Sequence, residues 1–592
     1  MRYTLRLHRI TKVRLCFSFV IGLLILNSWA KAQTIELRKE SNPNPFEAYY
    51  QLQSNKELYL QVKAEGGHLK LVQQWDYKEV QLNQTSELTY ASEKPGLNLV
   101  FSKDPNGSIA TVLVNGRDLW VKDHTYKPEP IAELSPAQVT ALKNTLNKAA
   151  NEVVRAINSN SAAATQQFME THVSQAFMKS GAVDLLTLLP RIYRQTGGVQ
   201  MAENVSLNTK ATMADFKARG KYLENIFEFN IRVDKEGKIR LFNGRIMPDP
   251  TLANIRKGDQ EFIQSLRTTM TALAEKDLFS GTILLAKGDK VLFTFASGEA
   301  NKETHQTNNA DTRFSLGSMN KMFTSLSIMQ LGEKGKLNLT DPVSKFIDTT
   351  WLPTGIADKI TIHHLLSHTS GMGDLFTPEY EKANLPQLIK VDAFKPYIKT
   401  DKLLFEPGKS WDYSNAGMVL LGAVIEKVSG IDYYYYIRQN IYKPAGMTHS
   451  DVYDIDTHPH NLAIGYIPQP DGRFESNRNS MWNRGNPSGG GYSNLSDLHK
   501  FALALTSGKL VSAASQQKMY TDYMHREYGY GFQVFSYKNY KIVGHSGGAP
   551  GVNAVTLMEP QSGYTMVVLS NYDGAIHLLQ NFMLNRIKAN LD

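Results

Sequence analysis

The sequence predicts a multidomain α+β protein, and three observations carry that prediction. Residues 35 to about 127 hold short, partly alternating apolar runs separated by turn residues. From Ser135 the spacing changes to a helical period, and after Gly197-Gly198 it reverts to strands. From Asp259 to the C-terminus helices and strands mix without a regular βαβ repeat. At 592 residues the chain exceeds what one hydrophobic core organises.

Residues 1–32 stand apart from these units. Arg2, Arg6, Arg9, Lys12 and Arg14 form a basic start, and Leu15 to Leu26 is an apolar run of 12. Ala30-Lys31-Ala32 then places small residues where a signal peptidase reads, so the segment has the layout of a secretory signal cleaved before Gln33. The apolar run is shorter than the roughly 20 residues that span a bilayer, which argues against a retained membrane anchor. Export to the periplasm or the cell exterior is expected.

Cleavage changes the charge and cysteine readings. The segment holds six basic and no acidic residues, so the net charge falls from +9 to +3. That leaves no electrostatic footprint for nucleic acid. The single cysteine, Cys16, also leaves, and with it any disulfide, thiol nucleophile or thiolate metal site.

Residues 33–127 read as a small β-domain. Leu58 to Val62, Leu69 to Val72, Leu97 to Phe101, Ile109 to Val114 and Leu119-Trp120-Val121 are its strands. Gly66-Gly67 and Asp104-Pro105-Asn106-Gly107 are among its turns. The unit shows no clustered reactive side chains.

Lys127-Pro128-Glu129-Pro130 reads as a linker, and residues 131–250 as an α+β domain. Ser135-Pro136 starts a helix as N-cap and first-turn proline. Val139, Leu142, Leu146, Ala149, Val153 and Ile157 then form one buried face. Helix is expected to about Met178, and strands over Tyr222 to Val233 and Ile239 to Ile246. The layout loosely resembles the cone-shaped NTF2-like domains. Pro248-Asp249-Pro250 closes it.

The remaining residues, 256–592, carry the reactive groups. Asp259 to Lys276 reads as a helix, and Phe279 to Ala286 with Val291 to Ser297 as a hairpin. Phe314-Ser315-Leu316-Gly317-Ser318-Met319-Asn320-Lys321 follows, setting a hydroxyl and an amine three residues apart at the start of an apolar helix. An amine whose pKa is lowered by burial can take the serine's proton. A lone Ser-x-x-Lys also arises by chance, so partners are needed.

Two further stretches supply candidates. Tyr413-Ser414-Asn415 lies between the Glu406-Pro407-Gly408 turn and the apolar run Met418 to Ile425, where a phenol can face a cleft. Tyr537-Lys538-Asn539 repeats the spacing but falls in a hairpin turn, which explains it fully. Gly544-His545-Ser546-Gly547-Gly548 follows a strand-like run, and its glycines permit close backbone approach and an oxyanion-facing N–H.

These five residues also fit Gly-x-Ser-x-Gly, the nucleophile elbow of α/β-hydrolases, with Ser546 as nucleophile. That alternative needs a helix next, whereas Val552 to Met558 reads as a strand. Only 44 residues follow Gly548, with His577 their sole histidine. His363, His364 and His368 invite a metal reading, with His364 and His368 at i, i+4. The expected role is structural, bonding local backbone. Tyr433 to Tyr436 reads as helix surface and core.

Taken together, Ser318-x-x-Lys321, Tyr413-x-Asn415 and His545-x-Gly547 resemble the serine β-lactamase/penicillin-binding-protein-like family, on its class C and D-peptidase side. Leu365 to Gly371, Phe405 to Gly408, Gly489 to Ser493 leading into Asp497, and His545 to Gly551 are similar to the family's usual surroundings. The resemblance covers roughly 256–592. It implies a β-lactamase/transpeptidase-like fold, an antiparallel sheet flanked by helices plus a helical subdomain.

The resemblance further implies roles. Ser318 attacks a carbonyl and is acylated, while Lys321 and Tyr413 share the proton work, Lys321 favouring the phenolate. Asn415 holds Lys321 and the substrate amide. The backbone N–H groups of Ser318 and Gly548 form the oxyanion hole, and Ser546 and Gly547 contact substrate. His545 lies beside Tyr413 and relays a proton to the leaving group. Water releases the acyl group, and no metal or organic cofactor takes part. The implied partner is a small-molecule, peptide or ester substrate.

One residue departs from the class C pattern, which has lysine at the position of His545. Histidine is mostly neutral near pH 7, so its field on Tyr413 is weaker. Peptide amides and esters are therefore favoured over β-lactams. A protein of another class, a sensor that keeps the fold and acylates without turnover, is the alternative function.

Overall fold

A computed structural model describes residues 44–591 apart from residues 54, 76, 93–96, 116–117, 129–133, 181–182, 204, 209–212, 224, 248–257, 453–460, 470, 479–483 and 575. The expected leader, Cys16, Glu129-Pro130 of the linker and Pro248-Asp249-Pro250 lie outside the described residues. No helix among the described residues is long and apolar enough to cross a membrane.

The N-terminal strands form a closed eight-stranded barrel. Ala48–Leu52 pairs with both the second strand, Asn55–Glu65, and the last, Asp118–Asp123, so no edge is left open. Phe46, Tyr50, Leu60, Leu82, Leu99, Phe101, Val112 and Trp120 fill the interior. Closure was not legible in the sequence, because the alternating runs look the same in a barrel and in an open sheet.

In the second unit the capping chemistry is as expected. Ser135 and Gln138 form a capping box on the Pro136–Ser159 helix. Helix extends beyond Met178, because Leu185–Thr196 adds another, N-capped by Asp184 and ended by Gly197 at φ 71°. Pro190 sits inside that helix, which hid it from the sequence reading. A five-stranded sheet follows, its longest strands Met213–Gly220, Ile226–Val233 and Ile239–Met247.

The C-terminal region is built on a six-stranded antiparallel sheet. From edge to edge it runs Lys290–Ser297, Gly281–Lys287, Tyr564–Ser570, Val552–Glu559, Tyr540–Ala549 and Gln533–Tyr537. Alternate residues face opposite cores. Ile283, Leu285, Met566 and Val568 pack with the helices Asp259–Glu275 and His577–Leu591. Leu284, Ala286, Val567 and Leu569 pack with the helices Asn320–Glu333, Asn415–Ser429 and Leu495–Thr506. Burial on both faces is why these strands read as apolar runs. The sheet's outer core is continuous with that of the preceding unit, through residues such as Leu189, Leu223 and Leu278. The expected division at about 250–256 therefore separates segments of sequence that share one packed interior.

Strand Tyr540–Ala549 turns directly into strand Val552–Glu559. The strand–turn–helix of a nucleophile elbow is absent, and Ser546 lies within the ladder, opposite Val555. This corrects the Ser546-nucleophile alternative. His364 caps its own short helix, Ile362–Leu366, while His368 follows it at φ 58°. The two histidines thus do not share a helical face.

The sheet meets the start of the central helix at a close crossing of two chains. A Cβ on Gly547 would lie 1.8 Å from the Leu316 carbonyl oxygen and 3.0 Å from the Ser318 nitrogen. A Cβ on Gly317, itself at φ +51°, would lie 2.8 Å from the Gly548 nitrogen. Gly547→Ala is therefore expected to cost about 1–3 kcal/mol by overpacking. The checks are a lower urea midpoint and faster amide exchange over residues 316–319; an unchanged midpoint and exchange would contradict the crossing.

Candidate active site

The Phe314–Ser315 strand pairs with Tyr492–Ser493, and a single 3₁₀ turn, Gly317–Met319, then carries Ser318 to the N-terminus of the Asn320–Glu333 helix. That helix is buried continuously from Asn320 to Leu331. Lys321 in its first turn is fully buried. The segment 486–491 lies along the same turn: the Gly490 N–H donates to the Gly317 carbonyl at 3.0 Å, and the Leu316 N–H to Gly491 at 3.0 Å. Thr324 and Asn320 donate to the carbonyls of Pro487 and Asn486 at 2.7 and 2.6 Å.

Lys321 Nζ has three polar partners. It lies 3.1 Å from Ser318 Oγ, 2.7 Å from Asn415 Oδ1, and within hydrogen-bond distance of the Ser488 carbonyl. The last two oxygens can only accept. A neutral amine has two N–H groups and one lone pair. With both N–H groups donated to Asn415 and Ser488, the lone pair is left for the Ser318 hydroxyl. Burial lowers the Lys321 pKa from 10.5 to about 7, with the Asp374 carboxylate opposing the shift.

Local capping presents the Tyr413-Ser414-Asn415 stretch. Ser414 is the N-cap of the Asn415–Ser429 helix, its Oγ accepting from the Gly417 N–H at 3.0 Å and donating to the Gly373 carbonyl. Asn415 therefore sits at the first helical position. Asp374 Oδ1 accepts from the Asn415 backbone N–H at 3.0 Å and from its Nδ2 at 2.9 Å, which turns Oδ1 of Asn415 towards Lys321. Tyr413, immediately before the cap, has its hydroxyl near enough to the Ser318 side chain to be influenced by it. The Lys321 Nζ lies 4.7 Å from the centre of the Tyr413 ring.

The electrostatic setting of Tyr413 runs against the expected phenolate. Burial pushes the Tyr413 pKa up and Asp374 adds to the rise, while the nearby Ser318 hydroxyl opposes it. A lysine near neutrality in this setting is too weak a cation to reverse the desolvation cost. Tyr413 is a neutral phenol here.

His545 is brought to the same wall, its ring centre 6.4 Å from that of Tyr413, but both its nitrogens are engaged. Nδ1 is 2.5 Å from the Ser546 carbonyl oxygen and must donate to it. Nε2 is 2.9 Å from the Tyr528 hydroxyl. Burial, reinforced by Lys321, drops the His545 pKa to about 3, so the ring is neutral and Nε2 accepts from Tyr528. The expected relay from His545 to a leaving group thus meets a ring with no free nitrogen. Ser546 points elsewhere: its Oγ accepts from Gln533 Nε2 and its N–H donates to Gln533 Oε1, both at 3.1 Å. Gly547 and Gly548 lie at the crossing with Ser318.

Asp374, His368 and Tyr528 complete the surroundings and were not assigned to the site from sequence. His368 is buried, and its Nδ1 accepts the Ser414 N–H at 3.1 Å, which puts its proton on Nε2. Its ring centre is 4.5 Å from Tyr413 and 4.7 Å from Tyr528. Burial, Lys321 and His545 hold its pKa well below 6.5. The one available signal for Asp374 was its position three residues after the quoted Leu365-to-Gly371 stretch. Tyr528, in a Gly-rich stretch after Glu527, has no spacing to the other motifs that would single it out.

Comparison with known proteins agrees with this architecture. The β-lactamase family model matches residues 265–580. Penicillin-binding protein 4* of Bacillus subtilis (strain 168) is 32% identical over 325 residues, 52% of this chain and 71% of that protein. The putative penicillin-binding protein PbpX of the same organism is 33% identical over 296 residues, 49% of this chain and 70% of that protein. The crystal structure of a penicillin-binding protein from Bacillus halodurans superposes with a TM-score of 0.50 at 33% identity, covering 53% of this chain and 99% of that one. With the fold, the motifs and these matches in agreement, the chain belongs to the β-lactamase family, whose penicillin-binding-protein-like members it is similar to.

Proposed function

We propose that this protein is a serine hydrolase that acts through an acyl-enzyme on Ser318, taking a peptide amide or ester. The single observation that carries this reading is the buried Lys321 Nζ, within hydrogen-bond distance of Asn415 Oδ1, the Ser488 carbonyl and Ser318 Oγ, an arrangement in which the neutral amine keeps its lone pair for the hydroxyl.

Attack begins when Ser318 Oγ bonds to the substrate carbonyl carbon and its proton passes to Lys321 Nζ. The developing oxyanion is taken by the N–H groups of Ser318 and Gly548. The chain crossing at Gly317 and Gly547 supports this pairing, since it sets the two segments in backbone contact. One such donor typically contributes about 100- to 1000-fold in rate. The neutral phenol of Tyr413, beside Ser318, protonates the leaving amine or alkoxide as the carbon–heteroatom bond breaks. Tyr413 is reprotonated from Lys321. Water then attacks the acyl carbonyl, giving its proton to the same base, and Ser318 recovers its own.

A neutral His545 wall favours D-peptidase or esterase chemistry over true β-lactamase activity, because the leaving group must collect its proton from the phenol without help from a fixed cation. The basic and apolar residues of 1–32 support action in the periplasm or outside the cell.

Intact-mass measurement after treatment with a fluorophosphonate and, separately, a labelled penicillin is expected to show one adduct, lost in Ser318→Ala. An adduct that persists in Ser318→Ala would overturn the assignment. A stable penicillin adduct without hydrolysis of simple esters or D-Ala-D-Ala peptides would identify the sensor instead.

Lys321 must be unprotonated to act, so the fluorophosphonate labelling rate should rise with pH through a midpoint of about 7 and be lost as pH falls below it. Asp374 raises the Lys321 pKa, so Asp374→Asn should move that midpoint to lower pH. A shift to higher pH would contradict the electrostatic assignment.

A further inference from the structure

Tyr528 lies in the Tyr528-Gly529-Tyr530-Gly531 stretch before the edge strand Gln533–Tyr537, buried and with its hydroxyl 2.9 Å from His545 Nε2. On the far side of the imidazole, Nδ1 is held by the Ser546 carbonyl, one residue along the chain. A carbonyl only accepts, so Nδ1 carries a proton, and what Nε2 meets decides whether the ring stays neutral or takes a second proton. A hydroxyl facing Nε2 completes the neutral Nδ1–H form.

We infer that Tyr528 is a positioning residue: by donating to His545 Nε2, with Nδ1–H already held by the Ser546 carbonyl, it keeps the ring in its neutral form and the wall behind Tyr413 uncharged. The inference rests on the hydrolase reading of this site. The groups that face His545 come from four segments. They are Lys321 on the central helix, His368 after the Ile362–Leu366 helix, Tyr413 before the Asn415–Ser429 helix, and Tyr528 itself. His368 has its Nδ1 taken by the Ser414 N–H and is neutral too. Lys321 is then the only group among these able to hold a positive charge near pH 7.

The consequence concerns where the proton goes. A cation at the His545 position would favour Tyr413 as a phenolate and so as the base. An imidazole pinned between a carbonyl and a phenol cannot become that cation without losing the Tyr528 hydrogen bond in its present sense. Tyr413 stays protonated, and the serine proton goes to Lys321. Tyr528 thereby helps select between lysine and tyrosine as the base while touching neither substrate nor Ser318.

The test uses the full chain labelled with ¹⁵N-histidine. His545 signals are assigned by their loss in His545→Gln. In the unaltered protein His545 is expected as the Nδ1–H tautomer, without titration from pH 5 to 8. In Tyr528→Phe the ring contacts with His368 and Trp411 are retained, so the thermal melt should stay close to that of the parent. Nε2 then loses its partner. Nδ1 stays protonated against the Ser546 carbonyl, but His545 should begin to titrate at Nε2, and kcat on an ester should fall about tenfold with little change in KM, the effect of one neutral hydrogen bond. Titration of His545 between pH 5 and 8 in the unaltered protein, or an Nε2–H tautomer, would overturn the inference. So would Tyr528→Phe with unchanged His545 signals and unchanged kcat. Failure of Ser318 to label at all would count against the hydrolase reading, while the histidine signals still decide the role of Tyr528.

Discussion

Everything at this site depends on one desolvated amine. Lys321 is fully buried in a helix that is itself buried, and the protein meets the cost with oxygens that can only accept. An ammonium ion in that position would be short of solvation, so burial favours the neutral amine. The same desolvation raises the phenol of Tyr413 and lowers the imidazoles of His368 and His545. One physical cause, exclusion of water, therefore sets the protonation of four groups, each towards its neutral form.

Geometry at the site is held by backbone more than by side chains. Gly317 and Gly547 bring the helix start against the sheet more closely than any Cβ would allow. Segment 486–491 clamps the turn from another side through carbonyls and N–H groups. Backbone atoms have no rotamers to lose, so such a frame is stiff, which suits a site where reacting atoms must stay within a few tenths of an ångström. Asp374 and Ser414 extend this frame to the third motif by fixing where Asn415 and Tyr413 begin.

The two leading units differ in how they relate to this core. The barrel closes on itself around Tyr50, Phe101 and Trp120. The α+β unit shares its apolar interior with the outer face of the six-stranded sheet. Gln195 on its last helix also donates to the Gly574 carbonyl at 2.8 Å, just before the C-terminal helix. Composition distinguishes these units along the chain, whereas burial joins the second to the third.

Local signals were strong where local physics decides. Ser135-Pro136 starts a helix because a hydroxyl can satisfy an orphan N–H and proline has none to lose. The hairpin at residues 281–297 and the turn at Tyr537-Lys538-Asn539 were equally plain. Barrel closure, the helix running through Pro190, and the engagement of His545 by Tyr528 were not, since each depends on contacts between positions that sequence spacing does not relate.

The sequence alone determined the kinds of reactive groups, their order, the apolar periods that bury them and the family they resemble. Only the tertiary structure decided their charges. A pKa depends on how much water reaches a group and which dipoles replace it. For Lys321, Tyr413 and His545 those replacements come from Asn415, Ser488, Asp374, Ser318, Ser546 and Tyr528, most of them distant in the chain and gathered only by folding.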